Sequence, residues 1–182
     1  MDNRELLDVI TSRISVRKFK DQEIPEEDIE KILQVGISAP SAGNRQPWRI
    51  IVVENSETKM KLAENAFNQS FLAKAPVVIV ICAVPSESAE RYGERGMNLY
   101  VYQDTAALAE NILLAAHCMN YGSVWIGAFD EDSVVKTLEI PHTMRPVAII
   151  PIGVPEYSGE EMPDKRPRRP LKDIVSREKL VK

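Results

Sequence analysis

The chain has 182 residues, 44% hydrophobic and 27% charged, with 23 basic against 27 acidic side chains and a formal net charge of −4. That length suits one domain spanning 1–182 with a buried core, and the composition excludes a disordered chain. The acidic balance argues against nucleic acid as a partner, and no apolar run approaches the ~18 residues of a membrane span. Met1-Asp2-Asn3-Arg4-Glu5 lacks the basic and apolar regions of a signal peptide, so a cytoplasmic location is expected. Cys82 and Cys118 each stand in apolar sequence and read as buried, reduced thiols. His117 and His142 have no spaced partners of a metal motif, and no metal site is expected.

Leu6, Leu7 and Ile10 mark a first amphipathic helix. Directly after it, Ser12-Arg13-Ile14-Ser15-Val16-Arg17-Lys18-Phe19 packs three cations and two hydroxyls into eight residues. Arginines alternating with a serine on extended backbone suit a phosphate monoester, although a solvated basic strand has the same appearance. Pro25 with Glu26, Glu27 and Asp28 reads as a helix start, with proline at the first helical position and acids at the positive end. Ile29, Ile32, Leu33 and Gly36 continue it as a one-face stripe.

Ala39-Pro40-Ser41-Ala42-Gly43-Asn44-Arg45-Gln46-Pro47-Trp48 is a tightly turned loop, because two prolines and a glycine exclude helix interior and central strand. The amides of Asn44 and Gln46 suit the edge of a planar heterocycle, or they satisfy the loop backbone of an ordinary connector. Trp48–Val53 reads as a buried strand. Ser56 is placed to cap a helix to about Asn68 with Met60, Ala63 and Phe67 as its apolar members. Residues 75–84 form a β-branched strand covered on both faces, and 85–96 read as a loop or short helix. Gln103 to Tyr121 is helical, with Gly122 as its C′ residue, and its apolar character predicts burial by the core and by a second subunit. Trp125 is expected in the core. Asp130 caps a helix bearing Val134, Val135 and Leu138, and 145–154 is the last strand. The cluster Lys165-Arg166-Pro167-Arg168-Arg169-Pro170-Leu171 reads as a stiff extended segment with arginines at fixed spacing.

In this order, the basic run, the 39–48 loop, Gly122-Ser123-Val124-Trp125-Ile126-Gly127, Ile152-Gly153-Val154-Pro155 and the 165–171 cluster resemble the FMN-dependent nitroreductase family. The resemblance spans about Leu6 to Val175. It implies an α+β fold, a mixed and largely antiparallel sheet flanked by helices, assembled as a homodimer with FMN at the subunit interface. It further implies that Arg13, Ile14, Ser15 and Arg17 hold the FMN phosphate and ribityl oxygens. Arg166 and Arg168 complete that clamp, in preference to Lys165 and Arg166. Pro40, Ser41, Ala42, Asn44 and Gln46 lie against the flavin from the partner subunit. Ile126 and Gly127 bring backbone N–H groups to the flavin edge, where glycine lets the backbone come close.

The motifs contain no side-chain nucleophile and no poised acid–base pair, as expected where a flavin carries the chemistry. The activity implied is an NAD(P)H oxidoreductase, with ping-pong hydride transfer through flavin N5 to nitroaromatic, quinone or similar planar acceptors. The alternatives are a specialised relative (a reductive dehalogenase, a flavin-fragmenting enzyme or an ene-reductase) and a flavin-binding protein of low turnover.

Overall fold

In the computed structural model, which describes residues 3–157 and 167–180, eleven helices and strands follow one another. They are α1 (Asn3–Ser12), α2 (Glu26–Ile37), β1 (Trp48–Val53), α3 (Ser56–Asn65), α4 (Phe71–Lys74) and β2 (Val77–Ala83). After these come α5 (Pro85–Arg95), α6 (Val101–Cys118), β3 (Gly122–Ser123), α7 (Glu131–Leu138) and β4 (Arg145–Gly153). The strands form one sheet in the order β1-β2-β4-β3, each named pair antiparallel. A single parallel bridge, Ser15 to Ser123, makes the sheet mixed. The expected α+β architecture is the one observed.

β2 explains the layering. All seven of its residues are buried, and a strand sends alternate side chains to opposite faces. Val77, Ile79 and Ile81 pack with Ile29 and Ile32 of α2 and with Leu108 and Ile112 of α6. Val78, Val80 and Cys82 pack with Leu62 of α3, Leu72 of α4 and Val134 of α7. The sheet therefore lies between two helical layers, and each fully buried isoleucine contributes about 1.5–3 kcal/mol. α2 and α6 approach so closely that a Cβ on Gly36 would fall 2.6 Å from Ile112 Cγ1. Pro146 sits in β4 at a register shift opposite Ile81 and Cys82, a bulge that tolerates its missing N–H.

Several local expectations are corrected. Pro25 is the N-cap of α2, one position before the first helical residue. Asn55, not Ser56, caps α3, accepting from the Thr58 amide at 3.0 Å. The buried side of α3 is Lys59, Leu62 and Ala63, whereas Met60 and Phe67 are exposed. Lys59 is buried because its ammonium donates to the Ala75 and Pro76 carbonyls, at 2.8 and 3.0 Å, just past the end of α4. Pro85–Arg95 is a full helix, interrupted by Gly93 at φ 55° and followed by a π turn over Gly96–Tyr100. The left-handed residue after α6 is Asn120, at φ 63°, and Gly122 belongs to β3.

The buried face of α6 is covered by its own chain, while Ala106, Ala107 and Leu114 are half-buried. It packs on α2 and the sheet, with Leu108, Ala109 and Ile112 fully enclosed. Exposed apolar side chains cluster elsewhere, among them Leu6, Leu7 and Ile10 on α1, Val35 and Ile37 on α2, and Leu171, Ile174 and Val175 near the C-terminus. Among the described residues no helix is long and apolar enough to cross a membrane. Cys82 is buried, and burial pushes its thiol up to about 11. Cys118 is exposed, against expectation, and both thiols are free.

Candidate active site

The basic run is anchored at two places, at Ser123 and along 154–156, where Glu156 N–H also donates to Lys18 O at 3.1 Å. Val16 N–H donates to Ser123 O at 3.0 Å beside the Ser15–Ser123 bridge, and Lys20 N–H donates to Val154 O at 2.9 Å. Val16 and Phe19 are buried, so the strand's apolar side is fixed in the core. Gly122 is required for this: a Cβ there would fall 2.6 Å from Val16 Cγ1 and 2.8 Å from its Cβ. Arg13, Ser15 and Arg17 stand at alternate positions of this run. Arg13 and Ser15 are half-buried and Arg17 is exposed, its guanidinium 5.9 Å from the Phe71 ring centroid. Among the described residues neither arginine pairs with a carboxylate.

Ser12 Oγ lies 2.9 Å from His117 Nε2 at the end of α6. Burial, and after it the Arg13 charge, push His117 below its ordinary value, favouring the neutral ring. Arg13, Ile14, His117, Ser123 and Pro155 line a hollow of about 150 Å³. Two guanidinium groups without a carboxylate partner among the described residues, and a hydroxyl between them in the chain, form a donor set that suits a phosphate.

The 40–46 loop is built quite differently. Ala42–Asn44 is a single 3-10 turn with Gly43 at φ 57°, and Asn44 and Gln46 are also left-handed, at φ 55° and 49°. Gln46 N–H donates to Ser41 Oγ at 2.9 Å, and its side-chain amide donates to Asn44 Oδ1 at 3.3 Å. Arg45 donates from Nε to the Glu87 carbonyl at 2.9 Å and pairs with Glu90 of α5. The Ala42 amide donates to Asp104 Oδ1 at 3.0 Å. Asp104 is 6% exposed, its Oδ2 has no partner, and burial pushes its carboxyl above the ordinary range. Pro40, Asn44 and Gln46 are exposed, and Ser41 and Ala42 half-buried.

Ile126 is buried, and its N–H and C=O exchange bonds with Ile149, at 2.9 and 3.0 Å. Its amide is thus committed to the sheet, and Gly127, which is exposed, is where that segment offers backbone. A Cβ on Gly127 would meet only the Trp125 indole, at 3.6 Å or beyond, so the approach to its backbone is open. Trp125 is 39% exposed rather than in the core, and with Tyr102, Phe129 and Gly127 it lines a cleft of about 360 Å³. Arg145 at that cleft is bonded to Glu131 at 2.9 Å and to Tyr102 Oη at 3.1 Å.

The chain brings Arg13, Ile14, Ser15 and Arg17 together, and Ser123–Gly127 leads from them toward the start of α6. The 40–46 loop stands apart. It is tied to Asp104 in the first turn of α6, whereas Ser12 meets His117 in the last. At 1.5 Å per residue those two attachments are about 20 Å apart. Arg168 is exposed beside the 3-10 turn Leu171–Asp173. Arg166 lies outside the described residues. Asp104 and Glu87 escaped the sequence reading. Their signals were an acid early in an apolar helix and an acid opposite the loop's own arginine.

The Nitroreductase family model matches residues 10–69 and 61–154. A candidate NADH dehydrogenase/NAD(P)H nitroreductase of Archaeoglobus fulgidus is 40% identical over 156 residues, covering 84% of this chain and 86% of its own. The FMN reductase [NAD(P)H] of Bacillus subtilis is 27% identical over 187 residues, covering 96% of this chain and 74% of its own. The structure of the NADPH:FMN oxidoreductase of Vibrio harveyi in complex with NAD+ superposes with a TM-score of 0.88 at 27% identity, covering 97% of this chain and 78% of that one. With its fold, its basic strand and its left-handed loop, this chain belongs to the nitroreductase family of oxidoreductases.

Proposed function

We propose that the protein is a homodimeric, FMN-dependent NAD(P)H oxidoreductase acting on nitroaromatics, quinones or similar planar acceptors in the cytoplasm. The observation that carries this reading is the basic run, in which Arg13 and Arg17 flank Ser15 and pair with no carboxylate among the described residues, in a chain whose relatives include a named FMN reductase. These residues fit a phosphate from one flank, with Arg166 and Arg168 closing from the other. Gly127 supplies an open backbone for the flavin edge. The 40–46 loop, about 20 Å from the basic strand in its own chain, reaches the flavin from the partner subunit. The exposed apolar side chains of α1 and α2 support that assembly.

FMN, when bound, supplies an acceptor for a nicotinamide hydride and a donor to the second substrate. The chain's residues bind, orient and supply charge; none is assigned as an acid, base or nucleophile. One stacking position serves both substrates in turn, because hydride transfer needs the reacting carbon about 3–3.5 Å from its acceptor. The test is steady-state kinetics on the purified protein. FMN should be found stoichiometric with chain, and double-reciprocal plots for NAD(P)H and an acceptor quinone should be parallel. Intersecting lines, or a flavin-free protein that gains no activity with FMN, would sink the reading.

A further inference from the structure

Asp104 is a costly residue. Its carboxyl lies in the first turn of α6 with one oxygen on the Ala42 amide and the other without any partner. Among the described residues no cation pairs with it, and Glu110, the other acid of α6, is exposed. An apolar residue there would leave no desolvated oxygen, so stability alone does not account for an aspartate. Its one bond reaches across 62 residues to the backbone of the 40–46 loop. That loop holds two left-handed non-glycine residues, Asn44 and Gln46, a conformation that persists only where surroundings enforce it.

We infer that Asp104 is a positioning residue: its Oδ1 latches the Ala42 amide and fixes the shape in which the loop meets the flavin's ring system. The inference rests on the proposed flavin site, and it assigns the latch to the ring end of the cofactor, not to the phosphate end. The geometry separates those ends, since Asp104 and the Arg13 cluster lie at opposite ends of α6. Loss of the latch therefore weakens FMN and riboflavin alike, whereas loss of an arginine weakens FMN alone.

The experiment compares Asp104→Ala and Asp104→Asn with the unaltered protein by hydrogen exchange without flavin and by titration with FMN and with riboflavin. Asp104→Asn keeps an acceptor for the Ala42 amide, and Asp104→Ala does not. The expected result for Asp104→Ala is faster exchange confined to residues 42–46 and about tenfold weaker binding of both flavins, their ratio unchanged. Asp104→Asn restores loop protection and both affinities. The inference is overturned if loop exchange does not change in Asp104→Ala. It is equally overturned if faster exchange spreads through α6 and the sheet, the mark of a scaffold residue, or if FMN alone is weakened. Failure of the unaltered protein to bind either flavin overturns the flavin site and this use of the latch, while loop exchange still decides whether the latch exists.

Discussion

The basic strand and the 40–46 loop both carry arginine, serine and exposed polar groups, yet the protein treats them in opposite ways. In the loop each polar group has a place: Arg45 on Glu87 and Glu90, Ser41 on Gln46, Ala42 on Asp104. In the strand the backbone is fixed by Ser123 and Val154, and Arg13 and Arg17 pair with no described carboxylate. Elsewhere Arg49 is neutralised by Glu87 and Arg145 by Glu131, whereas Arg91 and Arg95 stand over the Tyr92 and Tyr100 rings. The loop's shape is completed by protein, and the charge of the basic run is the part the proposed function assigns to a ligand. A site that must hold a planar ring and a dianion needs both: geometry for the first and uncompensated charge for the second.

The contrast breaks most visibly at Arg13. Arg13→Ala should weaken FMN by about 2–3 kcal/mol, roughly 30- to 150-fold, and leave riboflavin unaffected in a fluorescence-quenching titration. Equal losses for the two flavins would contradict a phosphate role. On the loop side, Gly43→Ala places a Cβ 2.5 Å from Tyr92 Oη and 2.9 Å from Arg91 Nη1, at a left-handed φ of 57°. Both contacts are free ends of side chains that can withdraw, so the lasting cost is backbone strain of about 1 kcal/mol. A denaturation midpoint equal to that of the unaltered protein would show the loop to be softer than its hydrogen bonds suggest.

The smallest effect tests the neighbour of Arg13. Because the folded pKa of His117 is below its ordinary 6.5, the unfolded chain binds its proton first. The stability it contributes is present above pH 6.5 and is lost as pH falls through the folded value. His117→Gln should flatten the decline in melting temperature on acidification. Parallel curves for the two proteins would remove His117 from the account.

What could be read from the sequence follows the range of the forces involved. β2 and β4 were legible because β-branched runs buried on both faces leave little alternative, and α7 because Asp130 caps it with a local bond to the Ser133 amide at 3.0 Å. The extended Arg13–Phe19 strand was legible by its alternation. α5 was not, since its polar sequence becomes a helix through contacts distant in the chain, Arg45 and Arg49 on Glu87 among them. The buried side of α3 was misread because a lysine reaching two carbonyls takes an inward place beside Met60, and Phe67 lies past the end of the helix at φ 57°. Asp104 was invisible for the same reason: its partner is 62 residues away. The position of Cys118 likewise depends on which side of α6 meets the sheet.

The pairing of the basic strand with β3 also governs how the protein reaches this state. Ser12 and His117, which meet beside that pairing, are 105 residues apart in the chain. Closing a loop of that length is an entropic cost met before any contact compensates it, and such non-local topology slows folding. During synthesis the arginines emerge early, but their backbone has no partner until β3 has been made. The central pair of the sheet waits longer still, because β2 joins β4. The proposed cofactor site is therefore among the last parts of the molecule to take shape, and a nascent chain truncated before β4 would carry Arg13, Ser15 and Arg17 without the frame that holds them.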